Sequence, residues 1–160
     1  MENIRRTKPD DEINISSLLD EAFGPGRLAR SVYRLREIRP FIDEFSYVYL
    51  NDSKIAASIS YSETYINNLF KGLLLGPLAV SPALKGKGHG KELVKYTINK
   101  IELSNIYDFI IVVGDLDYYS KFDSTYLSFL FGFSTVSKIT FLGSLSIFDF
   151  FPSSTLSELP

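Results

Sequence analysis

Hydrophobic positions recur with a helical period in the first part of the chain. Residues 11–23 carry apolar side chains three and four positions apart, which predicts an amphipathic helix. Gly24-Pro25-Gly26 ends that pattern, and a second amphipathic helix is predicted over 27–38, before a proline. Residues 2–7, ahead of the first helix, are predicted to form a short strand.

The period changes from helical spacing to alternation in the next part of the chain. Residues 45–51 and 55–65 are predicted to be antiparallel strands, joined by a tight turn at Asn51-Asp52-Ser53. Residues 73–80 are apolar throughout, which predicts a strand covered on both faces. Gly76-Pro77 lies inside that strand, where proline cannot donate a ladder hydrogen bond, so a bulge or a splayed strand is expected.

The remaining elements alternate between helix and strand. An amphipathic helix is predicted over 89–103, with Val94, Ile98 and Ile101 on its apolar face. A buried strand is predicted over 107–113 and a short helix through 118–122. Two further strands are predicted around 133–141 and 145–150. Helices and strands are therefore interleaved along a single chain without an internal repeat or a linker.

Composition excludes several kinds of chemistry. The chain has 160 residues, 45% of them hydrophobic and 22% charged, which predicts one globular domain over 1–160. It has no Cys and one His, so disulfides, thiolate metal sites, cysteine nucleophiles and His-based metal clusters are excluded. No secretory signal and no apolar run of bilayer length is recognised, so a soluble cytoplasmic protein with no membrane partner is expected.

Positive charge is concentrated in one segment. Residues 71–100 hold six Lys and one Glu, a local net charge of +5, within a chain whose net charge is −2. The same segment contains five of the ten Gly. A solvated helix face explains some of the Lys but not the interleaved Gly. A nucleic-acid-binding module is the other reading of this charge, and the acidic remainder of the chain speaks against it.

The glycine–lysine loop, Lys85-Gly86-Lys87-Gly88-His89-Gly90-Lys91, follows the apolar strand and opens the amphipathic helix. Backbone amides and a helix dipole converge on an anion at such a junction, so this loop is predicted to bind phosphate. It does not fit a P-loop, because Glu92 stands where Ser or Thr is needed, and it does not fit a dinucleotide fingerprint. A turn that only connects two elements is the alternative.

Several motifs resemble the GNAT family of N-acetyltransferases, in a bacterial branch that acts on small molecules. These are the runs 75–82, 85–90, 113–115 and 118–122, together with 24–27 and 33–37. The family's acyl-CoA motif is filled by Lys85, Gly88 and Gly90, with Lys in place of Gln or Arg. His89 replaces the usual branched aliphatic residue; a catalytic role, packing under the helix and contact with phosphate are its alternatives.

The resemblance implies a cofactor site and a catalytic residue. Acetyl-CoA would be the co-substrate, with its pantetheine arm against the strand at Leu78, Ala79 and Val80 and its pyrophosphate on the glycine–lysine loop. A Tyr at the start of the helix after the fifth strand protonates the departing thiolate in many members, and Tyr119 matches it. Both Tyr119 and its neighbour Tyr118 could instead be packed aromatic residues.

The implied fold is α/β (α+β), with a mixed, mostly antiparallel sheet flanked by helices. The implied activity is acetyl transfer to a primary amine of a small molecule or peptide, by a monomer or homodimer, with no nucleic-acid partner. The segment 123–160 departs from the family, because Phe131-Gly132-Phe133 comes nine residues late. A member that binds acyl-CoA as a sensor without transferring the acyl group is therefore the alternative.

Overall fold

The computed structural model describes residues 3–24, 40–112 and 138–141. Within these residues one sheet of six strands runs in the order of the sequence. The strands are β1 Ile4–Arg6, β2 Tyr47–Asn51, β3 Lys54–Ile66, β4 Phe70–Val80, β5 Phe109–Val112 and β6 Lys138–Phe141. The α-helices are α1 Glu12–Phe23 and α2 His89–Ser104, and short 3-10 helices span Pro9–Asp11, Asp43–Phe45 and Pro82–Leu84.

The sheet combines both strand directions. Strands β1 to β4 pair with their neighbours in antiparallel fashion, whereas β5 pairs in parallel with β4 and with β6. The predicted turn joins β2 to β3 through two residues, Asp52 and Ser53, which both have positive φ, as a tight hairpin turn needs. The prediction of a mixed, mostly antiparallel sheet is therefore confirmed.

The predicted irregularity in β4 is a bulge. Ile59 pairs with Leu78 and Tyr61 pairs with Leu75, so three steps along β4 face two steps along β3. The extra residue lies at Gly76–Pro77, where the proline lacks an N–H for the ladder. The regular ladder resumes beyond the bulge and continues to Val80.

The two α-helices cover opposite faces of the sheet. Leu18 and Leu19 of α1 pack with Ala79 of β4 on one face. On the other face α2 packs through a set of buried side chains that includes the three apolar residues predicted for its inner face. That set is Leu93, Val94, Thr97, Ile98 and Ile101. The predicted flanking of the sheet by helices is therefore confirmed.

An ion pair fixes the start of α1 against β1. The Arg5 guanidinium donates to both carboxylate oxygens of Asp11, at 2.6 and 2.9 Å, and the Lys8 backbone N–H donates to the same carboxylate at 2.8 Å. These hydrogen bonds favour the charged form and hold the pKa of Asp11 below its ordinary value. The buried carboxylate thus ties the first turn of the helix to the edge of the sheet.

The hairpin of β3 and β4 is longer than the hydrophobic pattern predicts. Asn67 and Asn68 turn the chain with positive φ, which Asn tolerates better than most residues. Lys71, which lies ahead of the predicted strand 73–80, forms an ion pair of 2.7 Å with Glu63 on β3. Cross-strand pairing therefore extends the hairpin past the residues that a hydrophobic count detects.

Strand β5 starts later than predicted, at Phe109 rather than at 107. Asp108 instead forms two hydrogen bonds with Lys71 of β4. Its carboxylate accepts from the Lys71 N–H at 2.8 Å, and its own N–H donates to the Lys71 carbonyl at 2.7 Å. β6 lies within the predicted strand 133–141. The predicted helices over 27–38 and 118–122 and the predicted strand over 145–150 lie outside the described residues. Neither α-helix in the described ranges has the length and apolarity needed to cross a bilayer.

Candidate cofactor site

The glycine–lysine loop forms the connection between β4 and α2. The chain leaves β4 at Val80, makes one 3-10 turn, and enters α2 at His89 with Gly88 as the N-cap residue. Gly86 and Gly88 have φ of +83° and +92°, a backbone conformation that residues other than glycine rarely adopt. The first helical hydrogen bond runs from the Glu92 N–H to the Gly88 carbonyl, at 2.9 Å. The two glycines therefore make the sharp entry into the helix possible.

The loop presents unused hydrogen-bond donors. The Lys85 and Lys87 amides donate to carbonyls just before them in the chain. Five other amide N–H groups have no acceptor among the described residues, namely those of Gly86, Gly88, His89, Gly90 and Lys91. N–H groups at the start of a helix carry the positive end of its dipole, so they favour a bound anion.

Three lysines add positive charge to these donors. Lys85, Lys87 and Lys91 are all exposed, and none of them forms an ion pair with a described residue. Gly86 and Gly88 are exposed as well, and a Cβ atom built on either would meet nothing within 4 Å. The main chain is therefore open to a ligand, and its surroundings suit the two negative charges of a pyrophosphate.

His89 is the side chain of the loop that packs against the sheet. Its ring lies against the ring of Tyr49 in β2, with centroids 4.5 Å apart and planes inclined by 33°. Tyr49 is 6% exposed, and its hydroxyl accepts a hydrogen bond of 3.2 Å from the Asn3 side-chain amide. Of the alternatives for His89, this geometry favours packing beneath the start of the helix.

The strand residues expected to face the pantetheine arm lie between the bulge and the loop. Leu78, Ala79 and Val80 pair with Ile59, Ser58 and Ala57 of β3, respectively. Ala79 is buried beneath α1, whereas Leu78 and Val80 are partly buried against the α2 face. Bulge, strand end and loop are thus consecutive along the chain, so the candidate residues of β4 and of the loop lie within one stretch, 76–91.

The sequence did not indicate that Tyr49 and Asn3 lie beside the loop, and one of the residues predicted for the site lies outside the described residues. The alternation of β2 puts Tyr47 and Tyr49 on one face, and this signal could have directed attention to that face. It does not show which helix residue they meet, because that depends on the packing of α2. Tyr119, the expected acid, lies outside the described residues.

A family model described as "Acetyltransferase (GNAT) family" matches residues 14–119. The structure is similar to a GNAT family acetyltransferase from Brucella melitensis in complex with acetyl-CoA, with 28% identity and a TM-score of 0.61. That similarity covers 74% of this chain and 79% of the Brucella chain. No curated protein sequence matches the chain significantly.

A second similar structure is the GNAT family N-acetyltransferase YhbS from Escherichia coli in complex with CoA. The identity is 26% and the TM-score 0.63, over 74% of this chain and 66% of the Escherichia chain. An aminoglycoside acetyltransferase from an uncultured soil metagenomic sample shares the fold, with 19% identity, a TM-score of 0.58 and coverage of 83% and 94%. The family match spans more than half of the sequence and agrees with the resemblance noted in its motifs. The chain therefore belongs to the GNAT family of acetyltransferases.

Proposed function

We propose that this protein is an acetyl-CoA-dependent N-acetyltransferase, which transfers an acetyl group to a primary amine of a small molecule or peptide. One observation carries the proposal: the start of α2 presents amide N–H groups without acceptors among the described residues, beside three exposed lysines. Two similar structures, those from Brucella and Escherichia, hold acetyl-CoA and CoA. The expected co-substrate is therefore acetyl-CoA.

In this proposal the glycine–lysine loop binds the pyrophosphate of acetyl-CoA. The N–H groups of Gly88, His89 and Gly90 donate to phosphate oxygens, and the absence of side chains at the two glycines lets those oxygens approach closely. Lys85, Lys87 and Lys91 contribute charge rather than fixed hydrogen bonds, because each is exposed. The loop thus provides both the shape and the charge that a pyrophosphate needs.

In this proposal the end of β4 binds the pantetheine arm that carries the thioester. Leu78, Ala79 and Val80 follow the bulge, so their main-chain groups are assigned to the pantetheine arm, as in the family resemblance. A bound pantetheine extends from the loop toward the bulge along this segment. The acetyl group would then lie near Gly76–Pro77, at the opposite end of the same stretch of chain from the pyrophosphate.

The chemistry itself makes modest demands on the protein. The neutral amine nitrogen attacks the thioester carbonyl carbon, the C–N bond forms, and the C–S bond breaks as the oxyanion collapses. The thiolate takes a proton from Tyr119, and the proton released by the amine nitrogen restores that tyrosine through solvent. No covalent enzyme intermediate is needed, so a chain without cysteine can carry out the reaction.

Calorimetric titration with acetyl-CoA tests the cofactor assignment. Wild type is expected to bind, and Gly88→Asp is expected to lower the affinity on the order of a hundredfold, because a carboxylate would occupy the phosphate position. Gly24→Asp is a matched control, since Gly24 also has positive φ, +79°, and open space around its Cβ position. If folded Gly88→Asp binds acetyl-CoA as tightly as wild type does, the loop is not part of the cofactor site.

A second assay separates an enzyme from a sensor. Acetyl-CoA is incubated with a panel of primary amines, and released CoA is measured with a thiol reagent. An enzyme releases CoA faster with at least one amine than with none. Binding of acetyl-CoA without amine-dependent release from any member of a broad panel would favour the sensor that the altered segment 123–160 suggests.

A further inference from the structure

The glycine–lysine loop has one side-chain attachment to the described part of the protein. From Lys85 to Lys91 the side chains are exposed or absent, except for that of His89, which is partly buried. Its ring lies on Tyr49, at 4.5 Å between centroids. An aromatic pair at that separation is attractive beyond its buried area. The stack therefore holds the first residue of α2 against the sheet.

The loop needs such an attachment because of its composition. Three glycines in seven residues give the free loop many backbone conformations, and only some of them point the N–H groups of the first turn at one ligand. Binding then has to order the loop, which lowers affinity. A side chain that fixes the start of α2 beforehand reduces that loss.

The partner of His89 is itself rigidly placed. Tyr49 pairs with Ile4 of β1 and with Ala57 of β3, so its strand is held on both sides. The Tyr49 hydroxyl accepts a hydrogen bond from the Asn3 side-chain amide. The Asn3 backbone carbonyl in turn accepts one from the Leu50 N–H, at 2.7 Å. The ring that supports His89 is thus fixed by the sheet and by a hydrogen bond at its far end.

We propose that Tyr49 is a positioning residue for cofactor binding, which acts through its stack on His89 to hold the N-terminus of α2 ready for a pyrophosphate. This inference rests on the proposed function. It adds a residue outside the glycine–lysine loop to the machinery that binds acetyl-CoA. It also explains a departure from the family motif, since His replaces a branched aliphatic residue at the position where a stacking partner lies beneath it.

The chain offers a matched control in the same strand. Tyr47 lies two positions before Tyr49 on the same face, is 5% exposed, and packs on Tyr96 of α2 with ring centroids 5.3 Å apart. Tyr47→Leu and Tyr49→Leu therefore each remove a buried tyrosine ring of β2 that packs on a side chain of α2. Only the second variant removes the support of His89.

The experiment is a calorimetric titration of each folded variant with acetyl-CoA, with urea unfolding of the same samples as the stability readout. We expect Tyr49→Leu to weaken binding about three- to tenfold, and Tyr47→Leu to leave the Kd within about twofold of wild type at a similar loss of stability. Tyr49→Phe loses the hydrogen bond from Asn3 but keeps the ring and its place in the sheet, so its Kd is expected to stay within about twofold of wild type. Adenosine 3′-phosphate 5′-diphosphate, which lacks pantetheine, should show the same loss as acetyl-CoA.

A double-mutant cycle with His89→Ala tests whether Tyr49 acts through His89. We expect the double variant Tyr49→Leu with His89→Ala to bind no more weakly than the weaker single variant. Additive losses, or equal effects of the Tyr49 and Tyr47 variants, would overturn the positioning role while acetyl-CoA binding by wild type still upholds the proposed function. Failure of wild type to bind acetyl-CoA would overturn both.

Discussion

Gly72 lies in β4 where an added methyl group would collide with a neighbouring ring. It pairs in register with Phe109 at the start of the parallel contact between β4 and β5. A Cβ atom at Gly72 would lie 2.3 Å from Cε2 and 2.4 Å from Cζ of the Phe109 ring, well inside van der Waals contact. Phe109 is 6% exposed, so its ring can yield only by displacing packed neighbours.

We expect Gly72→Ala to lower the free energy of unfolding by about 1–3 kcal/mol, the usual effect of overpacking. The gain that alanine normally brings over glycine in a strand, about 0.5–1 kcal/mol, is too small to offset that loss. Urea unfolding of wild type and variant gives the difference directly.

Phe109→Leu provides the test of cause. Alone it shortens a buried side chain and is expected to destabilise the fold by about 1–2 kcal/mol. Combined with Gly72→Ala, the smaller side chain leaves room for the new methyl group, so the double variant should be more stable than the sum of the single losses predicts, by about 1 kcal/mol. Strict additivity would refute the view that the ring occupies the space above Gly72.

Three further predictions concern charge and catalysis. Asp11→Asn should lower the free energy of unfolding by about 1–2 kcal/mol at pH 7. Because folding lowers the pKa of Asp11, this difference is present above about pH 4 and disappears as the pH falls through the folded-state pKa. Unfolding curves of both proteins at several pH values check this. Acetyl-CoA affinity should fall as salt rises, and Lys85→Ala with Lys87→Ala should flatten that dependence in titrations at several ionic strengths. Tyr119→Phe should lower kcat about 10²-fold while the acetyl-CoA Kd stays nearly unchanged. Loss of activity in Tyr118→Phe with a silent Tyr119→Phe would move the acid to Tyr118.

Controls for two of these variants lie elsewhere in the chain. Glu44→Gln removes an ion pair of 3.8 Å with Arg6, in which both side chains are more than half exposed, and no measurable change in stability is expected at any pH. Lys54→Ala with Lys95→Ala removes two exposed charges outside the glycine–lysine loop. If this pair flattens the salt dependence as much as the loop pair does, the dependence reports the overall charge of the protein and not a site.

Local sequence patterns were sufficient to predict the elements in which apolar side chains recur at a regular spacing or in which a turn has characteristic residues. Helix α1, the turn at Asp52 and Ser53, the irregularity at Gly76–Pro77 and the inner face of α2 were all predicted from spacing and turn chemistry, and all are confirmed. Each of these depends on residues close together in the chain. Hydrophobic periodicity reports this level of structure directly.

Contacts between distant residues were not predictable in the same way. Lys71 belongs to β4 although it lies ahead of the predicted strand 73–80, and it forms an ion pair with Glu63 across the hairpin. Tyr49 meets His89 from forty positions away, and nothing in either neighbourhood specifies the other. The glycines and lysines of the loop could be recognised because they are local, whereas its contact with Tyr49 could not; phosphate binding by the loop stays a prediction.

Two irregular features of the backbone lie close together in the chain, on either side of the end of β4. The bulge at Gly76–Pro77 interrupts the ladder of β4, and the positive φ angles of Gly86 and Gly88 form the entry to α2. The two features flank a regular segment that is assigned to the pantetheine arm of one ligand. Departures from local structural rules tend to persist where function requires them. Under the proposed function, the bulge lies at the thioester end of acetyl-CoA and the two glycines lie at its pyrophosphate, so each departure has a role in binding the same ligand.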